Sequence, residues 1–370
     1  AQPQAQQTVS LPVWIPGSYL VREFAKNLQN LRARQGKREV SLQQTDKHTW
    51  VADCHGKAPL VLTYEVCAYD NSVRTAWLDA SRGFFNGTSL CLRVHGQEQQ
   101  PHTLEVSAPA APTWSLATGL AALNVDKKGF GLYAAAHYDE LVDCPVEMGD
   151  FWVGKFTACG VPHRFVVAGA APSFDGQRLL ADTQKICETA IRFWHGQGKA
   201  PFTSYLFMLN AVNDGYGGLE HRNSTALICG RRDLPRQGEA RQSEGYTTLL
   251  GLISHEYFHA WNVKKIKPAA FAAPHGYDTT REAYTRLLWL FEGFTSYYDD
   301  LMLKRVGLVT EADYLKLIGR RLTQLLRSPG RHRQSVADAS FDAWIKYYRA
   351  DENAVNSQFS YYLRGSFVAL

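Results

Sequence analysis

Two histidines four residues apart enclose a carboxylate in the run His255-Glu256-Tyr257-Phe258-His259. On a helix, positions i and i+4 share a face, so both imidazoles reach one metal ion and Glu256 stands beside it. Neutral imidazoles suit zinc, and a catalytic zinc site takes a third protein ligand and keeps a position for water. Glu292 is available downstream, inside the apolar stretch Leu287-Leu288-Trp289-Leu290-Phe291-Glu292-Gly293-Phe294. A carboxylate buried in such surroundings needs a cationic partner, and a metal supplies one. Glu282 and Glu311 fall in the polar first turns of expected helices, where the helix dipole already accounts for them. His255, His259 and Glu292 thus make a two-histidine, one-glutamate set for one Zn²⁺. Ligand types alone leave cobalt and manganese open as alternatives.

These residues have to be positioned by helices. Hydrophobic periodicity predicts helices over about 244–265, about 281–306 (stopped by Gly307) and about 310–327 (stopped by Pro329-Gly330). Thr310 is a suitable N-cap for the last of these, with Asp313 three residues on. A further helix begins near Ser357. Upstream, Leu179, Leu180, Thr183, Ile186, Cys187, Ala190, Ile191 and Trp194 recur at three and four residues and end at Gly196. Ser204 to Val212 reads as a strand. Before about Ala170 the pattern is β: Leu60–Tyr69, Ser89–Val94, His102–Ala108, Phe151–Cys159 and His163–Ala168 read as strands. Turn signals such as Asp70-Asn71, Asn86-Gly87 and Lys128-Gly129 punctuate them. The expected class is α+β and multidomain: an all-β domain over 1–170, then a mostly helical catalytic domain over 171–370.

Composition agrees with two globular domains. The chain has 370 residues, 45% hydrophobic and 20% charged, which excludes a disordered or fibrous protein. It contains no apolar run long enough to span a membrane. The formal charge of +5 is spread among acidic residues. The densest basic cluster, Arg320, Arg321, Arg327, Arg331 and Arg333, reads as a solvated helix face. Neither nucleic acid nor a membrane is expected as a partner. Seven cysteines without a CxxC pair read as buried free thiols and fit cytoplasm or periplasm alike. The sequons at Asn86 and Asn223 read as chance occurrences. The polar opening without Met, and the apolar run Ser366–Leu370 at the other end, read as those of a fragment.

Three segments resemble the glycyl aminopeptidase family of zinc metallopeptidases: Gly217-Gly218-Leu219-Glu220-His221-Arg222-Asn223-Ser224-Thr225, His255 through Pro268, and Trp289 through Tyr298. Leu11 to Tyr19 and Gly83 to Gly87 resemble that family's amino-terminal β-domain. The resemblance implies a thermolysin-like catalytic domain of the gluzincin type, distantly similar to aminopeptidase N, that usually continues into a PDZ domain. It implies zinc on His255, His259 and Glu292, and Glu256 as general base. Gly217 to His221 is similar to the Gly-Ala-Met-Glu-Asn segment of aminopeptidase N. Gly217 and Gly218 would then line the substrate backbone and Glu220 would hold its free amino terminus, while His221 departs from that pattern. Tyr362-Leu363-Arg364-Gly365 resembles the Tyr-Glu-Lys-Gly segment of that group, which makes Tyr362 the oxyanion donor. Tyr361 is its immediate rival, and His221 and His275 are further candidates.

The resulting expectation is a zinc aminopeptidase acting on peptides with a free amino terminus, with Gly or Ala preferred by analogy with the family. A zinc endopeptidase built on the same ligands, and a silent zinc-peptidase-like binding scaffold, are the alternatives. Asn262, Thr295, Ser296 and Asp299 are the candidates for orienting the imidazoles.

Overall fold

The computed structural model describes residues 2–272 and 277–370. It divides into two compact units, Ala1–Asp150 with Ala272–Glu282, and Phe151–Phe271 with Ala283–Leu370.

The first unit is built almost wholly of antiparallel sheets. Strands 42–46, 49–53, 6–10 and 93–94 form one, and 115–118, 146–149, 82–85 and 76–78 another. The short helix α1 (Tyr138–Val142) packs with Trp114, Phe130, Tyr133 and Val146 into one core cluster. Leu11, Trp14 and Tyr19, from the Leu11–Tyr19 segment, are fully buried. Residues 272–282 come back to this unit late in the chain: Asp278 O accepts from Trp14 Nε1 at 2.9 Å and Thr279 O from Val13 N at 2.8 Å.

The second unit has one five-stranded sheet in the order 151–158, 161–168, 205–212, 224–230, 217–220. The sequence predicts the first two strands in the β-domain, to 170; here they belong to the sheet of the second unit. The reason is the pairing of 161–168 with 205–212, which is parallel. A parallel pair needs a crossover, and α2 (Gly176–His195) supplies it. The edge strand Gly217–Glu220 runs antiparallel to Ser224–Gly230. Helix α3 (Glu244–Phe258) lies on this sheet, and Tyr246, Leu250, Ile253 and Tyr257 join Phe165, Phe207 and Ile186 in one core.

Helix α4 (Leu288–Arg305) crosses α3, and α5 (Glu311–Arg327) follows with the capping box expected from Thr310 and Asp313. Short α6 (Val336–Phe341) and α7 (Ala354–Ser357) lead to α8 (Tyr361–Ala369), which packs along α4. Two helices run shorter than periodicity suggests. The first stops near His259 because the chain turns there, with Lys264 N donating to His259 O. The second starts at Leu288 rather than 281, because residues through 282 belong to the first unit; Ser340 Oγ accepts the orphan Trp289 N–H at 2.9 Å. No described helix is long and apolar enough to cross a membrane.

Candidate metal centre

Helix α3 presents His255 and His259 on one face, and α4 delivers Glu292 against them. His259 Nε2 lies 3.1 Å from His255 Nε2 and 3.2 Å from Glu292 Oε2, and His255 Nε2 lies 3.5 Å from the same oxygen. Three donors around zinc at about 2.0–2.1 Å, at tetrahedral angles, would be separated by about 3.3–3.4 Å, so the set fits one ion. The tautomers implied by the outer partners agree. His255 Nδ1 donates to Asp299 Oδ2 at 2.9 Å, and His259 Nδ1 donates to the backbone oxygen of Asn262 at 2.7 Å. Each proton therefore sits on Nδ1, and both Nε2 lone pairs converge with a carboxylate oxygen. Three acceptors facing one another call for a cation. Charge points the same way: burial opposes charging His255, yet the accepting carboxylates of Asp299 and Glu292 outweigh it and hold its pKa well above the ordinary value.

Of the four residues proposed to orient the imidazoles, Asp299 touches one directly. Asn262 acts through its backbone carbonyl. Its side chain donates to Phe291 O at 3.0 Å and Thr295 Oγ1 at 3.1 Å, tying the turn after α3 to α4. Ser296 offers its backbone oxygen to Arg321 instead.

Glu256 is 5% exposed, and its Oε2 has no hydrogen-bond partner among the described residues. Burial, reinforced by Glu220 and Glu292 against the pull of the two histidines, pushes its carboxyl up to about 7. Its stem and carboxylate lie against the α-carbon of Gly218, where any Cβ would collide with them. Glu220, 4% exposed, also has an unpartnered oxygen, Oε1, and it groups with Glu256 and His259 within 4.8 Å. Gly217 begins the same edge strand, opposite Ile228. The structure thus brings Gly218, Glu220, Glu256 and the three candidate ligands into one cluster.

Tyr361 and Tyr362 separate cleanly. Tyr361 is fully buried and packs on Tyr347, with ring centroids 5.1 Å apart. Tyr362 is half-buried with its ring 6.3 Å from that of His255, and its hydroxyl lies 3.3 Å from Tyr348 Oη. Burial first, then the Glu292 charge, raises its pKa well above the ordinary value, so it stays a donor. Its placement depends on two glycines. Gly293 of α4 and Gly365 of α8 meet backbone to backbone, and a side chain at either would strike the other helix. His221 is buried beside Glu220, and His275 lies outside the described residues.

Sequence reading missed Arg321, which it placed on a solvated face. Its side chain is 29% exposed and lies 2.9 Å from Asp300 and 3.6 Å from Asp299. The signal was the pair Asp299-Asp300 in a buried helix, which needs a nearby cation.

Fold and donor set together define a class, the metallopeptidases. Residues 1–150 match the model of the peptidase M61 N-terminal domain, and residues 248–368 match that of M61 glycyl aminopeptidase. The chain belongs to the M61 peptidase family. Among solved structures, an aminopeptidase N family protein from Idiomarina loihiensis is 43% identical with a TM-score of 0.96, over all of this chain. The chain spans 62% of that protein's length. An M1 zinc metallopeptidase from Deinococcus radiodurans shares the fold at 15% identity, TM-score 0.53, over 99% of this chain and 74% of its own. Curated protein sequences give no match.

Proposed function

We propose that the chain carries a zinc-dependent aminopeptidase site that removes amino-terminal residues, Gly or Ala, from peptides. His255, His259 and Glu292 would hold the ion. When bound, zinc supplies a Lewis acid that polarises a carbonyl and lowers the pKa of water. Glu256, buried beside the candidate ligands, would take the proton of the attacking water and return it to the leaving amine. Tyr362 donates its hydroxyl proton toward the oxyanion that develops on the scissile carbonyl, an interaction worth roughly 3 kcal/mol when well aimed. The strand Gly217–Glu220 lies at a sheet edge, where an extended peptide can pair with it.

One observation carries the exopeptidase reading: Glu220 is a buried carboxylate whose Oε1 has no hydrogen-bond partner among the described residues, next to Glu256 and His259. A substrate α-ammonium would pair with it. A blocked or internal peptide would leave the charge buried and unpaired, which makes the group a discriminator. The preference for Gly is supported by the family description alone, and Ala is included only by its similar size.

The test is the cleavage rate of a glycine arylamide beside its N-acetylated twin, with and without chelator. Chelator-sensitive cleavage of the free amine alone is expected. Equal cleavage of both would make the enzyme an endopeptidase and remove the role given to Glu220. No cleavage of either, with metal bound, would point to a scaffold.

A further inference from the structure

We infer that Arg321 is a positioning residue of the metal centre, holding the neighbouring carboxylates Asp299 and Asp300 so that Asp299 stays aimed at His255. The inference rests on the metal-site reading of His255, His259 and Glu292, and extends it outward by one layer.

Helix α4 places Asp299 and Asp300 at successive positions, each 5% exposed. Successive helical positions point about 100° apart, so one carboxylate can face α3 while the other turns aside. Asp299 is fully committed: Oδ2 accepts from His255 Nδ1 at 2.9 Å and Oδ1 from the Asp300 backbone N–H at 2.6 Å. Two buried carboxylates one residue apart repel each other when both are ionised: burial and Asp299 push the Asp300 carboxyl up to about 7, against the pull of Arg321. Arg321 comes from α5 and spans the pair. Nη2 lies 2.9 Å from Asp300 Oδ2 and 3.6 Å from Asp299 Oδ1, while Nη1 donates to Ser296 O at 2.6 Å. The planar fork donates to Ser296 O while standing within ion-pair distance of both carboxylates, a span that a lysine point charge matches less well. Without the guanidinium, the repulsion is relieved by Asp299 turning from His255, which then loses the partner that fixes its ring and aims Nε2 at the ion.

Its neighbour in sequence provides the contrast. Arg320 pairs with Glu244 at 3.0 Å, with side chains 54% and 77% exposed. That pair is a surface contact far less able to affect anything.

The test reads metal affinity, by competition of the metal-free protein with a chromophoric chelator, and the visible spectrum of the cobalt(II) protein. Arg321→Met should weaken zinc binding about tenfold or more and alter the cobalt spectrum, as loss of an outer-layer partner does. Arg321→Lys should recover part of the affinity, and Arg320→Met should bind like wild type. Asp300→Asn added to Arg321→Met should restore most of what was lost, since one of the opposing charges is gone. A merely structural role would instead make the double variant worse than the single. Should Arg321→Met fail to fold, Arg321→Lys carries the test, with a severalfold loss expected and wild-type affinity overturning the inference. Unchanged affinity in Arg321→Met, with zinc bound by wild type, overturns this inference alone. Wild type that binds no zinc overturns it together with the metal-site reading.

Discussion

Gly218→Ala should separate the metal from the chemistry. Gly218 sits in the edge strand with no positive φ, so its backbone accepts alanine, which would ordinarily gain up to ~1 kcal/mol over glycine in a strand. The added Cβ, however, falls on the Glu256 carboxylate and its stem. Either Glu256 swings away or the strand recedes, by about an ångström in each case. Misplacing a catalytic group by that distance costs about 10²-fold, which corresponds to roughly 2.7 kcal/mol of barrier. Overpacking of this kind adds about 1–3 kcal/mol of destabilisation. The assay is kcat and KM on a glycine arylamide, beside zinc content and urea unfolding of the same preparation. The expected result is one zinc retained, a modest fall in stability, and kcat down about 100-fold. Wild-type kcat in a folded Gly218→Ala would refute the placement of Glu256 as the proton-transferring group. Activity lost only in proportion to zinc would show that the substitution acts on the ligands instead.

Three further outcomes follow from the same geometry. Glu220→Gln should cut kcat/KM for the free-amine substrate by roughly tenfold or more and shrink the discrimination against the N-acetylated twin, while an unchanged ratio would disconnect Glu220 from the amine. Tyr362→Phe should lower kcat about 10²-fold with little change in KM or zinc content, and Tyr361→Phe should act on stability instead; the reverse pattern in the two kinetic profiles would exchange their roles. His163 is buried among Phe156, Tyr205, Phe207 and Tyr257, with Nδ1 donating to Val161 O and Nε2 accepting from Tyr257 Oη, each at 2.8 Å. Burial pushes its pKa down to about 4 from 6.5, so between those values the unfolded chain binds the proton and the folded one does not. Its contribution is present above pH 6.5 and is lost as pH falls toward 4, roughly 3 kcal/mol in all. Urea unfolding of wild type and His163→Phe at pH 7, 5 and 4 should show a steeper fall for wild type, and parallel falls would contradict this.

What could be read in advance followed from local rules. The i, i+4 spacing of His255 and His259 and the lone carboxylate Glu292 in an apolar helix needed only helical geometry and the cost of burying charge. The Thr310 cap and the strands around 60–66 and 205–212 were equally local. The misplaced hairpin 151–168 was not, because each strand reads the same in either domain and only its parallel partner at 205–212 decides. The start of α4 depended on residues 272–282 joining the first unit, a long-range event that leaves no periodic trace. Within the site, Asn262 contributes a backbone carbonyl, a group common to every residue, so side-chain type could not single it out. Gly293 and Gly365 look like ordinary helix interruptions until the two backbones are seen to meet. Arg321 was hidden by its company, since four basic neighbours suggested a solvated face.

The central claim is that His255, His259 and Glu292 bind one zinc and Glu256 does not. The most direct measurement is the zinc content and binding stoichiometry of purified wild type, Glu256→Gln and Glu292→Ala, each checked for folding. One zinc per chain in wild type and Glu256→Gln, the latter without turnover, and none retained in Glu292→Ala, is the result expected. Zinc retained by folded Glu292→Ala, or lost from Glu256→Gln, would contradict it.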